Sequence, residues 1–155
     1  MAVGRETCWC IEQRWSAHHA AYRGDLESRA LLVHHTPAHP RVQCDIDSDQ
    51  FAQALTNALT NAIDAATEGS DLTIVSTTAA DGGWQSRLHN DGPGISSSIL
   101  STVFEPLVTN KPGHAGIGLA IAHRVLADHG GSIEIESADG SGTTLTFSLP
   151  PARVS

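Results

Sequence analysis

From Phe104 to Gly131 the chain reads FEPLVTNKPGHAGIGLAIAHRVLADHGG, and this segment sets the interpretation of everything around it. It opens on an aromatic–acid–proline turn, Phe104-Glu105-Pro106. A short polar segment follows, with Thr109 and one cation, Lys111. Gly113-His114-Ala115-Gly116-Ile117-Gly118 then feeds a helix-like run from Leu119 to His129, closed by Gly130-Gly131. A glycine-rich loop entering a helix is a physical device for anions. The glycines let backbone approach closely, and the first amides of the helix have no intrahelical partner. With Lys111 adding a mobile positive charge, the segment reads as a phosphate clamp, partly fixed and partly a lid. The lid, Thr109 to Ala115, has little to bury and is expected to order around a terminal phosphate.

The long helix lies upstream. Asp47 to Glu68 carries Phe51, Ala54, Leu55, Ala58, Leu59, Ala62, Ile63 and Ala66 at i, i+3, i+4, i+7 spacing, an apolar stripe for a core. Asp47 is the expected cap, with Gln50 three residues on completing a capping box, and Gly69 is the stop. Along the edge of the stripe runs a polar row, Gln53, Asn57, Asn61 and Asp64. Asparagine is a mediocre helix former. Two of them one turn apart suit either a solvated face or a pair of amide oxygens that hold water or a hard cation carrying phosphates.

Between helix and clamp, Asp71 to Thr78 alternates Leu72, Ile74 and Ser76 with Thr73, Val75 and Thr77. Asp81-Gly82-Gly83 makes a hairpin turn, and Trp84 to His89 returns. That strand runs into Asn90-Asp91-Gly92-Pro93-Gly94-Ile95. Ser96 to Val103 suits a short helix. Beyond the clamp, Ser132 to Ser137 and Thr143 to Leu149 form a second hairpin pair around Ala138–Gly142. Two hairpin-connected pairs cannot both be parallel crossovers. The order therefore predicts an α+β fold, a two-layer sandwich of a mixed β-sheet with helices on one face.

The N-terminal part is less patterned. Thr7 to Arg23 reads as a helix ending at Gly24, Ser28 to His35 as a strand, and Val42 to Asp45 as a second strand on the same edge. The whole is expected to be one domain, 1–155, with a helix and a strand in 1–40 and the motif-bearing core in 41–150. A net charge of −8 argues against nucleic acid and against an anionic membrane surface. No apolar run approaches a membrane span and no signal-peptide pattern opens the chain. Three cysteines, Cys8, Cys10 and Cys44, follow no framework spacing and suit a reducing compartment. Histidine is frequent, but adjacent strand histidines such as His34-His35 point to opposite faces, which argues against zinc.

These motifs, in this order, resemble the catalytic domain of sensor histidine kinases, of the ATP-binding superfamily that includes DNA gyrase B, Hsp90 and MutL. The resemblance covers roughly Asp45 to Pro150 and implies the Bergerat-type ATP-binding fold. Asn57-x-x-x-Asn61-Ala62 is similar to the N box, which makes Asn61 the Mg2+ ligand and places Asn57 beside the phosphates. Asn90-x-Gly92-x-Gly94 is similar to the first glycine box. The family has aspartate at the first position, accepting from the adenine amino group. Here Asn90 stands there, and an amide can accept likewise while donating to a ring nitrogen. Gly116-x-Gly118-Leu119 is similar to the second glycine box, with Thr109 and Lys111 in the lid, and Gly142-Thr143 resembles the small motif in which Thr143 supports the adenine site. Gyrase-like ATPases carry a water-activating glutamate where this chain has Asn57, which cannot be a general base.

The resemblance thus implies a domain that binds ATP and Mg2+ and donates a phosphoryl group to a histidine on a separate dimerisation domain, with a response regulator receiver domain downstream. Asn57 and Lys111 would be its catalytic residues. A cytoplasmic location follows, as a soluble protein or as the cytoplasmic part of a membrane-bound sensor, without direct membrane contact by this domain. No histidine here lies in the His-Glu-x-x-x-Pro context of a phospho-acceptor. The alternative is a degenerate nucleotide-binding regulatory module without kinase activity, which Asn90 and Leu107-Val108 favour. An anti-sigma serine kinase is disfavoured, since those enzymes carry the glutamate that Asn57 replaces.

Overall fold

The computed structural model describes residues 4–7, 22–38, 42–95, 100, 103–104, 117–138 and 140–152. In these, a five-stranded sheet carries two packed helices on one face. The strands are β1 (Gly4–Thr7), β2 (Leu32–Thr36), β3 (Gln43–Ile46), β4 (Asp71–Thr78), β5 (Trp84–Asn90), β6 (Ser132–Ser137) and β7 (Thr143–Leu149). The helices are α1 (Arg23–Ser28), α2 (Ser48–Ala65) and α3 (Ile117–Asp128). The main sheet has the order β2-β4-β5-β7-β6. Its β2–β4 pair is parallel and its other pairs are antiparallel, so it is mixed as expected.

Strict alternation puts one face of this sheet into the core. Leu72, Ile74 and Ser76 of β4, Trp84, Ser86, Leu88 and Asn90 of β5, and Leu145, Phe147 and Leu149 of β7 are all buried. The other face carries Thr73, Thr77, Gln85, Arg87, Thr144, Thr146, Glu134 and Glu136, and among the described residues no helix covers it. Against the core face lies α2, whose stripe of Phe51, Ala54, Leu55, Ala58, Leu59, Ala62 and Ile63 is wholly buried. It packs on α3 and β5, while α3 packs on β6 and β7. The buried polar pair Ser76 and Ser86 is satisfied internally, hydroxyl to hydroxyl at 2.9 Å.

Both ends of α2 are held from elsewhere in the chain. At the start, Asp47 Oδ1 accepts from the amides of Asp49 and Gln50, each at 3.1 Å, which is the cap the sequence suggests. The Asp47 amide, which a capping box would give to Gln50, donates instead to His129 Nε2 at 3.0 Å. At the other end the Arg29 guanidinium donates to the Ile63 carbonyl and, at 2.6 Å, to the Ala66 carbonyl. Cation and helix C-terminus are electrostatically matched there. The helix closes at Ala66, three residues before Gly69.

The N-terminal expectations need correction. Gly24 does not stop a helix. It lies inside α1, and Ser28 is the last residue of α1 rather than the start of a strand. β3 does not prolong the edge of β2. It pairs antiparallel with β1 in a separate two-stranded sheet, Gly4 opposite Ile46 and Thr7 opposite Gln43. β2 joins the main sheet through β4 alone, Leu32 opposite Asp71 and Thr36 opposite Val75. Residues 8–21 of the expected first helix, and most of the Ser96–Val103 helix, lie outside the described residues.

Candidate functional site

The last core-facing position of β5 is Asn90, and its neighbour across the ladder is Thr143 of β7. Both are buried beneath the helix layer, with Asn90 4% exposed. Because strand residues alternate, Asp91 turns to the open face, where its carboxylate lies 3.1 Å from His89 Nε2.

The loop after Asn90 is fixed on two sides. Towards α2, the Thr67 amide donates to the Asp91 carbonyl at 2.7 Å. Gly92 lies so close that an added Cβ would stand 2.4 Å from the Ala65 carbonyl oxygen, and Asn90 Nδ2 would be 3.4 Å away. Towards the β6–β7 turn, the Gly142 amide donates to the Gly92 carbonyl at 3.1 Å and the Gly140 amide to the Pro93 carbonyl at 3.0 Å. Gly142 has φ +75, a conformation that favours glycine, and a Cβ on it would meet the Asn90 carbonyl oxygen at 2.2 Å. Gly94 also has positive φ, +79, and sits against Ala138.

Ser137, which the sequence reading passed over, is the hub of this corner. Its hydroxyl donates to the Gly142 carbonyl at 2.9 Å and accepts the Ile95 amide at 2.7 Å. It also meets Thr143 Oγ1 at 3.0 Å. Since the one Ser137 proton is already given to Gly142, Thr143 is the donor in that contact, and Thr143 Oγ1 keeps acceptor capacity. A serine at the end of a strand carries no distinctive pattern, and only its placement opposite Thr143 identifies it.

Asn57 and Asn61 sit one turn apart on α2, both half-buried, on the margin of the apolar stripe. Leu119 lies half-buried in the first turn of α3, and Gly118 precedes it within the same helix. Phe104 packs on the core and stacks on His123 of α3, ring centroids 4.9 Å apart. Thr109, Lys111 and Gly116 lie outside the described residues. Thus Asn90, Gly92, Gly94 and Thr143 form one joined corner, and α2 and α3 carry Asn57, Asn61, Gly118 and Leu119 on two helices packed together. No group of three or more His, Cys, Asp or Glu side chains placed to hold a metal exists among the described residues.

Residues 46–153 match the family model of histidine kinase-, DNA gyrase B- and HSP90-like ATPases. The chain belongs to this ATPase family. Among its relatives within the family, the sensor histidine kinase ZraS of Escherichia coli strain K12 is 32% identical over 128 residues, 81% of this chain and 27% of ZraS. The sensory histidine kinase/phosphatase NtrB of Rhodobacter capsulatus is 35% identical over 118 residues, 68% of this chain and 33% of NtrB. The chain therefore spans about a quarter to a third of the length of these two relatives. The catalytic domain of histidine kinase ThkA superposes with a TM-score of 0.83 at 21% identity, covering 98% of this chain and 97% of ThkA's. The mycobacterial sensor histidine kinase MprB gives 0.82 at 24%, covering 99% and 100%. These two show the shared fold: a mixed sheet under helices, the catalytic domain architecture of histidine kinases. Among the described residues no helix is long and apolar enough to cross a membrane.

Proposed function

We propose that this chain is the catalytic domain of a two-component sensor histidine kinase, binding magnesium ATP and donating the γ-phosphoryl group to a histidine on a separate dimerisation domain of the same kinase. The observation that carries the proposal is the placement of Asn90, 4% exposed at the last core-facing position of β5, opposite Thr143 and against the fixed loop at Gly92. An amide, with one acceptor oxygen and one donor NH2, matches a ligand edge that has one donor beside one acceptor. Adenine has such an edge: its amino group donates to Oδ1 and its adjacent ring nitrogen accepts from Nδ2. The fixed loop around Gly92 and the ladder pairing with Thr143 hold the backbone of Asn90 in place.

The phosphates would lie between the two helices. The first amides of α3 are unpaired within the helix and aligned with its positive dipole end, a setting that favours phosphate oxygens. Asn61 would hold magnesium through its amide oxygen, and Asn57 would orient the phosphates beside it. An asparagine oxygen suits a hard cation, and with no acidic cluster in the described residues the other ligands would be phosphate and water. Magnesium, when bound, neutralises charge on the phosphates during transfer. Asn57 cannot take a proton from water, so the site is suited to phosphoryl donation rather than hydrolysis. The roles of Thr109, Lys111 and Gly116 rest on the sequence resemblance. A receiver domain as downstream partner and a cytoplasmic location belong to the same proposal.

Isothermal titration with a non-hydrolysable ATP analogue, with and without magnesium, tests this reading. Asn61→Ala is expected to abolish the magnesium-dependent gain in affinity and to leave the fold intact, because Asn61 lies off the buried stripe. The same magnesium gain in the variant overturns the assignment. A second reading, a nucleotide-binding regulatory module without kinase activity, is favoured by the neutral amide at position 90. It predicts nucleotide binding but no transfer to a supplied dimerisation domain.

A further inference from the structure

We propose that His129 is a positioning residue that pins α3 to α2 and thereby sets the spacing between the α2 asparagines and the phosphate-facing start of α3. The inference rests on the magnesium ATP reading of the site for its functional consequence, while the pin itself is a property of the fold.

His129 follows α3 directly, yet it reaches the cap of α2, 82 residues away in sequence. The Asp47 amide donates to Nε2 at 3.0 Å, and Nδ1 lies 2.7 Å from the Val125 carbonyl oxygen. A backbone amide only donates and a carbonyl only accepts. The imidazole is therefore neutral, with its proton on Nδ1. Phe51, in the first turn of α2, meets the ring edge-on, centroids 4.8 Å apart and planes at 84°. Two hydrogen bonds and one aromatic contact leave the ring no freedom to turn. The end of α3 is itself closed by amides of His129 and Gly131, which both donate to the Leu126 carbonyl, at 3.1 and 2.8 Å.

The beginning of α2 thus meets the end of α3, and the helices run in opposite senses. Asn57 lies ten residues beyond Asp47, and Leu119 ten residues before His129. At the rise of an α-helix both separations are about 15 Å, which brings Asn57 abreast of Leu119. The buried stripe of α2 carries Ala54, Ala58 and Ala62 at four-residue spacing, and Ala122 of α3 is buried as well. Leu55, Leu59 and Leu126 are buried with them, and to this apolar packing, which is not directional, the pin at Asp47 and His129 adds a hydrogen bond fixed in direction.

The test uses the full chain, with His129→Leu and His129→Gln. Leucine keeps the apolar volume and loses both polar bonds, whereas glutamine retains an acceptor of similar reach. In the wild type, NMR should detect a nitrogen–nitrogen coupling between the Asp47 amide and His129 Nε2, and slow amide exchange in α2 and α3. His129→Leu should speed exchange at Asn57 and Leu119 and weaken the ATP analogue with magnesium about tenfold, leaving adenosine within about twofold. His129→Gln should restore most of both properties. Absence of the coupling, or equal losses for adenosine and the ATP analogue in His129→Leu, or no rescue by glutamine, overturns the pin. A wild type that binds no ATP analogue overturns the kinase reading instead, and the coupling and exchange then still decide on His129.

Discussion

Arg29 offers the sharpest test of how the site is held, because it touches none of the residues assigned to nucleotide. Its guanidinium donates to the carbonyls of Ile63 and Ala66 at the end of α2, and its own carbonyl accepts the Gly69 amide at 2.9 Å. Arg29→Met keeps the aliphatic stem and the backbone bond and removes only the charge and its donors. The Ile63 carbonyl retains a weak bond from the Ala66 amide at 3.4 Å, but the Ala66 carbonyl loses its donor, and Ala66 is 2% exposed. One largely buried carbonyl left unpaired costs about 1–3 kcal/mol. Loss of the cation at a partly buried helix C-terminus adds about 0.5–1 kcal/mol. The expected destabilisation is about 1.5–4 kcal/mol, which for a chain of this size lowers the melting temperature by roughly 3–16 °C. Urea unfolding followed by circular dichroism measures it, with an unchanged denaturant slope marking a change in stability alone. Next in line is the loop contact from Thr67 to Asp91, so hydrogen exchange at Thr67 should quicken more than at Asn57. A change below about 0.5 kcal/mol would refute the claim that Arg29 closes α2.

Three further expectations concern the corner around Asn90 and the proposed reaction. Asn90→Asp should tighten the ATP analogue by about 1 kcal/mol and widen its preference over GTP, since a carboxylate only accepts hydrogen bonds. The buried charge should also lower the nucleotide-free melting temperature, and competitive titration with unchanged ratios would show that position 90 does not read the base. Gly142→Ala forces a side chain into φ +75 and a Cβ to within 2.2 Å of the Asn90 carbonyl. It should cost about 2 kcal/mol or more in thermal unfolding and weaken adenosine, and an undisturbed adenosine affinity would detach this turn from the base site. The 155-residue chain by itself should form no acid-labile phosphohistidine with ATP, whereas adding the dimerisation domain of a kinase that recognises it should yield one. Radiolabel transfer measures both, and labelling of the isolated chain would contradict the assigned donor role.

Where a segment's pattern is long and local, the sequence alone determined the structure. β4, β6 and β7 run from Asp71 to Thr78, Ser132 to Ser137 and Thr143 to Leu149, as their alternation implies. The stripe and the Asp47 cap place α2, because both signals lie within a few residues of the helix they define. The ordered motifs were equally legible in the primary structure, and they led to the ATPase family and its fold. Tertiary structure decided what depends on distant partners. A strand of four or five residues such as β2 or β3 pairs with whichever edge is open, and its own residues do not say which. Gly24 enters a helix because Leu26 has a core to reach. Ser137 becomes the hub of the corner where β5, β6 and β7 meet, Arg29 closes α2 and His129 caps it from across the chain, through hydrogen bonds whose geometry exists only after the sheet and helices have packed. Hydrophobic periodicity records which face is buried, whereas a hydrogen bond over 37 or 82 residues leaves no local trace.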